Sequence, residues 1–457
     1  MPDEITHLLI IGGGPAGTQA ATTAAMKGAR VTMIEKDIVG GAAHLWDCIP
    51  SKTMAASALR QTSVRNAAKL GLVNDPGTVD PVGLSKRIGE ITSDIHENWV
   101  DLLRSQKVEM ISGKGRFVGP KEVAVKTAEG ERVFGFDRAV ISTGSAPRVP
   151  EWATSVDGGV DGTRILTTRH CYDLAEVPRH VVVIGSGVTG VEFTHIFESM
   201  GSEVSLVVSR QQILPHRDPE VAAVLEEDFL ERGVRLVIGA RAVSIDVEDD
   251  EVSVVCDDGR VVKGSHALLA VGSVPLTEGL GLEAAGVVTE NGYVPVDEMM
   301  RTSVEHIYAG GDVTGQLPLS SVASMQGRKI ARHALSLPVT PLDYSKVAEA
   351  IFTEPEIASV GLVDVAAAAV GRKVRTTKVP FAANARSVLQ HFTRGFVKVT
   401  SDPATGVVLG GTIVGHRASE LIGVIALAVQ AGVTDKILIE TLMVHPSMTE
   451  AITDAAE

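Results

Sequence analysis

The first apolar run of the chain, Leu8-Leu9-Ile10-Ile11, stops abruptly at three glycines. A short continuous apolar run bounded by glycine reads as a buried strand, and the Ala-rich stretch beyond it, TQAATTAAMKG, reads as a helix. The run RVTMIEK then returns as a second strand. The same order recurs further along: HVVVI, the turn GSGVTG, a helical stretch beginning VEF, and the strand EVSLVV. Two such strand–turn–helix–strand copies predict two α/β domains built on parallel sheets. AVISTGSAPRVP, from Ala139 to Pro150, and IYAGGDVTG, from Ile307 to Gly315, read as short strands ending in small residues and an acid. From about Pro341 the pattern changes to strands joined by turns, GFVKVTSDPATGVVLGGTIVG, followed by an Ala/Leu/Ile-rich helical stretch. That predicts a third domain of α+β type. The only repeat is the pair of glycine-bounded units, and no segment is of low complexity.

Composition narrows the class without naming a substrate. At 457 residues, with 44% hydrophobic and 21% charged residues, the chain fits two to four folded domains with a large core. Its net charge of −14 disfavours nucleic acid or an anionic membrane as partner, while leaving room for a local basic pocket. No apolar run reaches the roughly 18 residues that a membrane span needs. The start MPDEITHLLIIGGG enters a strand without a basic leader, so a cytoplasmic location is expected. Cys48, Cys171 and Cys256 are too few and too scattered for a disulfide framework or a metal cluster, which suits a reducing cytosol. No metal is expected.

The glycine spacing carries the chemistry. Gly12-x-Gly14-x-x-Gly17 between strand and helix lets the backbone approach a pyrophosphate, which the helix N-terminus stabilises. Glu35, ending the next strand, stands where an acid accepts the hydroxyl hydrogens of an adenosine ribose. One such fingerprint is weak, because glycine turns also arise for packing. The second copy, Gly185-x-Gly187-x-x-Gly190, changes the reading. Two dinucleotide sites in one chain imply electron transfer between a flavin and a nicotinamide.

Taken with GGGPAG, CIPSK, STGSAP, GSGVTGVE, AVGSVP, AGGDVTG, FTEPEIASVGL, VPFAANARS and HPSMTE, in that order, the chain resembles the pyridine nucleotide–disulfide oxidoreductase family over nearly its whole length. The resemblance implies two Rossmann-like dinucleotide-binding domains, for FAD and NAD(P), and an α+β C-terminal dimerisation domain. The implied boundaries are residues 1–150 and 273–340 for FAD, 151–272 for NAD(P) and 341–457 for the interface of a homodimer. By the same resemblance Glu35 binds the FAD ribose, while Gly41, Gly115, Thr143 and Gly144 line the cofactor. Asp312 would hold the ribityl chain, and the helix entered near Ser320 would point at the flavin N1/O2 edge. Lys52 would lie near flavin N5, paired with Glu192, although a Lys and a Glu taken at random would more often be a surface pair. Gly272 would border the nicotinamide, and His445 with Glu450 would be the acid–base pair supplied by the partner subunit. AVGSVPLTEG departs from the pattern, with Ser273 and Leu276 where Arg and Asn are common, which leaves the nicotinamide geometry there open.

The informative departure is in GGAAHLWDCIPSK, Gly40 to Lys52. Disulfide-reducing members of the family carry two cysteines here. Cys48 matches the flavin-side one, and Ala43 stands at the other. Thiol–disulfide exchange needs an attacking thiolate and a resolving partner, so the family's usual substrates are excluded. His44, Trp46 and Asp47 reshape the same segment. Both glycine fingerprints, Lys52 and Glu192 remain, and the chain resembles a cysteine-deficient, quinone-reducing branch of the family. The expected enzyme is an FAD-dependent NAD(P)H:quinone oxidoreductase with a quinone as acceptor. The alternatives are pyridine nucleotide transhydrogenation, peroxide reduction by Cys48 alone, and a non-catalytic dehydrogenase-like subunit. For the nicotinamide, Val208 stands where an acid would select NADH, and Ser209 and Arg210 follow it, positioned to hydrogen-bond and charge-pair a 2′-phosphate. Arg210 alone is as readily a solvated cation. Together they predict NADPH in preference to NADH.

Overall fold

The computed structural model describes residues 6–73, 75, 77–154, 160 and 162–457, with the side chain of residue 154 left out. The contacts divide the chain into two compact units: residues 1–51, 85–148 and 273–342 form one, and residues 52–84, 149–272 and 343–457 form the other.

The first unit is centred on a five-stranded parallel sheet in the order Ile307–Ala309, Arg138–Ile141, His7–Ile11, Arg30–Glu35, Glu109–Ser112. His7–Ile11 lies in the middle and is covered on both faces, which is why it is a continuous apolar run and not an alternating one. Leu8, Leu9 and Ile10 are fully buried. Leu9, Ile11, Ile34 and Ile141 share one core with Phe117, Val125 and Phe134 of a three-stranded antiparallel sheet, Lys114–Gly119, Glu122–Thr127 and Gly130–Gly135. On the other face the helix Pro15–Met26 lies against the helix Ser320–Ala334. Their approach depends on Gly327, where an added Cβ would come within 2.1 Å of the Ala16 carbonyl.

The second unit repeats the theme. Its parallel sheet runs Arg235–Ile238, Glu203–Val208, His180–Ile184, His266–Leu269, Ile165–Thr167. The helix Val188–Met200 follows the central strand, and an antiparallel sheet of Ala242–Glu248, Glu251–Cys256 and Val261–Gly264 packs alongside, sharing a core of Val182, Val207, Val254 and Leu269. The C-terminal part of this unit has a five-stranded antiparallel sheet ordered Ala348–Ile351, Glu356–Gly361, Val408–Gly415, Phe396–Ser401, Arg375–Pro380. Helix Ala418–Ala431 lays Ile422, Ile425 and Val429 on it. Cys171 and Cys256 are buried, and none of the three cysteines is in a disulfide. No helix among the described residues is long and apolar enough to cross a membrane, and none of their acid, His and Cys side chains cluster as a metal site.

Candidate active site

The two glycine turns have the same division of labour. Gly12 takes φ +102°, and a Cβ there would come within 2.3 Å of the Ser142 carbonyl oxygen; Gly17 would come within 2.0 Å of the Gly12 carbonyl oxygen. Gly14 differs: its nearest neighbour would be 4.0 Å away. In the second copy Gly185, at φ +110°, and Gly190 would clash at 2.3 and 1.8 Å, while Gly187 has nothing within 4 Å. The outer glycines are therefore required by the turn and by helix–strand packing, and the middle one faces open space beside an uncapped helix start. A bare backbone there is what a dinucleotide pyrophosphate requires. Both turns fit such a group.

Glu35 is fixed beside the first turn. Its Oε2 accepts the Gly13 N–H at 2.6 Å and its Oε1 the Asp37 N–H at 2.8 Å, leaving further lone pairs for ribose hydroxyls. Gly41 lies over the same turn, where a Cβ would come within 2.8 Å of Gly14 Cα. In the same unit Ser145 Oγ donates to the Asp312 carboxylate at 2.7 Å, and Thr143 Oγ1 donates to the Leu276 carbonyl at 2.7 Å. Gly144, at φ +70°, has nothing within 4 Å, whereas Gly115 faces Ile11 and Ile34 and has only its backbone to offer a ligand. In the other unit Gly272, at φ +94°, also faces open space. Val208 ends its strand fully buried; Ser209 and Arg210 beyond it are exposed. None of the ion pairs among the described residues includes Arg210. Replacing Arg210 by alanine is expected to raise KM for NADPH about 10-fold and leave KM for NADH unchanged, since one charge-assisted bond to a phosphate is worth about 1.5–3 kcal/mol. Steady-state kinetics with both nucleotides checks this.

The segment Ala43–Asp47 forms a π-helical turn, closed by Cys48 N–H donating to the Ala43 carbonyl at 3.0 Å. Such turns insert a residue into the helical ladder and recur at functional sites. Its cause is local. The His44 imidazole is folded back onto Gly40, whose φ is +107° and where a Cβ would come within 1.8 Å of Nδ1. That Nδ1 is buried without a hydrogen-bond partner, and burial lowers the pKa of the ring. Gly40→Ala is expected to cost about 2–4 kcal/mol, from the positive φ and the clash together. Adding His44→Ala removes the clash and should restore part of that loss in urea unfolding. Cys48 follows the turn, with Sγ 3.1 Å from Oγ of Ser320, the first residue of the 15-residue helix Ser320–Ala334. Ser51 Oγ donates to the Asp47 and Cys48 carbonyls, tying the turn to the helix Ile49–Arg65.

In the second unit Lys52 Nζ is 2.7 Å from Glu192 Oε2. Glu192 is 5% exposed, and its other oxygen accepts the Phe352 N–H at 2.9 Å. The Phe352 ring lies under the same ammonium, 4.9 Å from its centroid, close enough for a cation–π attraction. Phe352 thus holds both members of the pair. It sits within FTEPEIASVGL, but nothing in that stretch of sequence tells which backbone N–H meets which carboxylate. Further along, His445 Nδ1 is 2.8 Å from Glu450 Oε1, and Glu450 Oε2 accepts the Ser447 N–H at 2.8 Å. Because a carboxylate only accepts, Nδ1 carries the hydrogen and Nε2 of the neutral ring is left as the basic atom. The Ser447 N–H, and then His445, hold the Glu450 carboxyl below its ordinary pKa. His445 is largely exposed, as are the nearby Leu442 and Val444.

Comparison with known proteins identifies the family. Residues 6–327 match the model of the family described as pyridine nucleotide-disulphide oxidoreductase, and residues 347–456 match that family's dimerisation domain. The chain is 42% identical to a Mycobacterium tuberculosis protein named NAD(P)H dehydrogenase (quinone), over 99% of this chain and 93% of that one. It is 34% identical to the dihydrolipoyl dehydrogenase of Chlamydia muridarum, over 99% and 97%. Among solved structures it resembles LpdA of Mycobacterium tuberculosis with a TM-score of 0.93 at 41% identity, covering 99% of each chain. It also resembles RclA, an HOCl-induced flavoprotein disulfide reductase of Escherichia coli, with a TM-score of 0.88 at 26% identity, covering 98% and 99%.

Proposed function

We propose, for a chain that belongs to the pyridine nucleotide-disulphide oxidoreductase family, the reduction of quinones by NAD(P)H without a redox-active disulfide. The protein is an FAD- and NAD(P)H-dependent oxidoreductase, and its dimerisation domain makes it a homodimer. One observation carries the choice of acceptor: the segment Gly40–Lys52 keeps Cys48 but has Ala43 where a second sulfur would be needed. A thiol without a resolving partner cannot complete a disulfide exchange cycle. The relative named as a quinone dehydrogenase supports the same acceptor.

The bound flavin supplies two-electron transfer from a nicotinamide to an acceptor. The turns at Gly12–Gly17 and Gly185–Gly190 hold the two pyrophosphates, Glu35 the FAD ribose, Thr143, Gly144 and Asp312 the flavin side, and Ser209 with Arg210 the 2′-phosphate that favours NADPH. Residues 1–150 with 273–340, 151–272 and 341–457 take the FAD, NAD(P)H and dimer roles. Lys52, held by Glu192 and Phe352, would supply a fixed positive charge to the bound flavin. Cys48 and the remodelled turn at Ala43–Asp47 border the acceptor. The Nε2 atom of His445, once protonated, gives its proton to an oxygen of the reduced quinone, and Glu450 stabilises the imidazolium. No nucleic acid enters this scheme, and the protein works in the cytoplasm.

Steady-state kinetics with NADPH and menadione tests the scheme, and parallel double-reciprocal lines are expected. Cys48→Ser should keep at least half of the wild-type menadione turnover. Loss of nearly all turnover in that variant would favour a thiol mechanism, and NADH formation from NADPH and NAD without quinone would favour transhydrogenation.

A further inference from the structure

Arg328, Lys329 and Arg332 stand together on the helix Ser320–Ala334. With Met325, Pro338, Val339 and Thr340 they line an open cleft of about 460 Å³. Their hydrogen-bond partners among the described residues are all neutral. Arg328 Nε donates to Gln19 Oε1 at 3.0 Å, and Arg332 Nε and Nη2 donate to the Pro338 carbonyl at 3.1 and 2.8 Å. Lys329 Nζ donates to the Thr340 carbonyl, with the Thr340 hydroxyl and the Pro341 carbonyl each 3.4 Å away. None of the ion pairs formed among the described residues includes any of the three.

That arrangement is unexpected in a chain of net charge −14. Arg328 and Arg332 are four residues apart on one helix face, where like charges destabilise by about 0.2–0.5 kcal/mol. Burial, and then the charge of Arg332, lower the Lys329 pKa. Part of the cluster has an ordinary cause, because a cation in the last turn suits the helix dipole and the carbonyl contacts tie down residues 338–341. Neither cause reaches Arg328, one turn earlier, nor explains why no carboxylate of the described residues pairs with the cluster. The donors are also far from used up. A guanidinium has five N–H groups, of which Arg328 commits one and Arg332 two.

We propose that this cleft binds a phosphate-bearing anion, with Arg328 and Arg332 as planar forks, Lys329 as a point charge, and Met325, Pro338 and Val339 as apolar walls for the group that carries the phosphate. Guanidinium groups and an ammonium are the side chains that pair with phosphate oxygens.

Isothermal titration of the FAD-loaded enzyme with pyrophosphate, at low ionic strength and with NADP saturating to fill the nicotinamide site, reads this directly. Saturable binding is expected, weakening at least 10-fold when salt is raised to about 0.5 M, as screening demands. In the double variant Arg328→Gln/Arg332→Gln it should fall at least 10-fold, while the Lys69→Gln control, an exposed cation elsewhere, binds as wild type. Absence of saturable binding, or equal binding by the double variant, would overturn the site. Flotation with phosphatidylglycerol and phosphatidylcholine vesicles distinguishes the source. Binding to the anionic vesicles alone, reversed by pyrophosphate, identifies a lipid headgroup; pyrophosphate binding without flotation identifies a free phosphate compound.

Discussion

Glu192→Ala is expected to slow reduction of the flavin by NADPH about 10²-fold, the cost typical of removing one fixed group from an electrostatically organised site. The same variant should be destabilised by about 3 kcal/mol. Removing one partner of a buried ion pair costs about 3–5 kcal/mol because the other charge is left uncompensated. The lower end applies because the Lys52 side chain is 34% exposed and water can take over part of its solvation. The variant also strips the Phe352 N–H of its acceptor. Glu192→Gln separates the two contributions: the amide oxygen still accepts that N–H, so only the part of the stability loss owed to the Phe352 N–H should be restored, while the uncompensated Lys52 charge and the slow reduction persist. Stopped-flow bleaching of the flavin and urea unfolding provide the two readings. Wild-type reduction rates in both variants would show that Lys52 needs no counter-charge to act.

The second large effect belongs to the other half of the cycle. His445→Gln is expected to lower quinone turnover about 10²-fold, in the range of a lost general acid, while NADPH bleaches the flavin at the wild-type rate. Stability should hardly change, since the imidazole is largely exposed. The pH dependence has a definite sign. The Glu450 carboxyl is held below its ordinary value, so its contact with His445 persists above the ordinary carboxylate range and is lost only as pH falls through the depressed folded value. An acid limb in quinone turnover near neutrality therefore cannot come from Glu450. Full turnover by His445→Gln would remove His445 from the reaction.

Much of the fold could be read from the chain because its signals are local. Leu8–Ile11 is apolar at every position because both faces of the central strand are covered, and the change of pattern after Pro341 marks a sheet that is antiparallel. The glycine spacing was equally readable, since Gly17 and Gly190 each answer to the carbonyl of the glycine five residues earlier in their own turn. Side-chain relations that depend on distant segments were not. The π turn at Ala43–Asp47, with the His44 ring folded back onto Gly40, is local, but residue spacing does not encode it either. Phe352 joins the Lys52–Glu192 pair through a main-chain N–H, which has no sequence signature. Arg328, Lys329 and Arg332 look in sequence like an ordinary solvated helix face; only the return of residues 338–340 makes them a cleft.

These residues converge on one claim: with Ala43 in place of a second sulfur, electrons leave this protein for an acceptor that needs no dithiol. Its most direct test is stopped-flow reoxidation of the NADPH-reduced enzyme, without oxygen, by menadione and, separately, by lipoamide disulfide. The account predicts rapid reoxidation by menadione, undiminished by more than about half in Cys48→Ser, and none by the disulfide. Reoxidation by lipoamide, or by menadione no faster than by air, would contradict it.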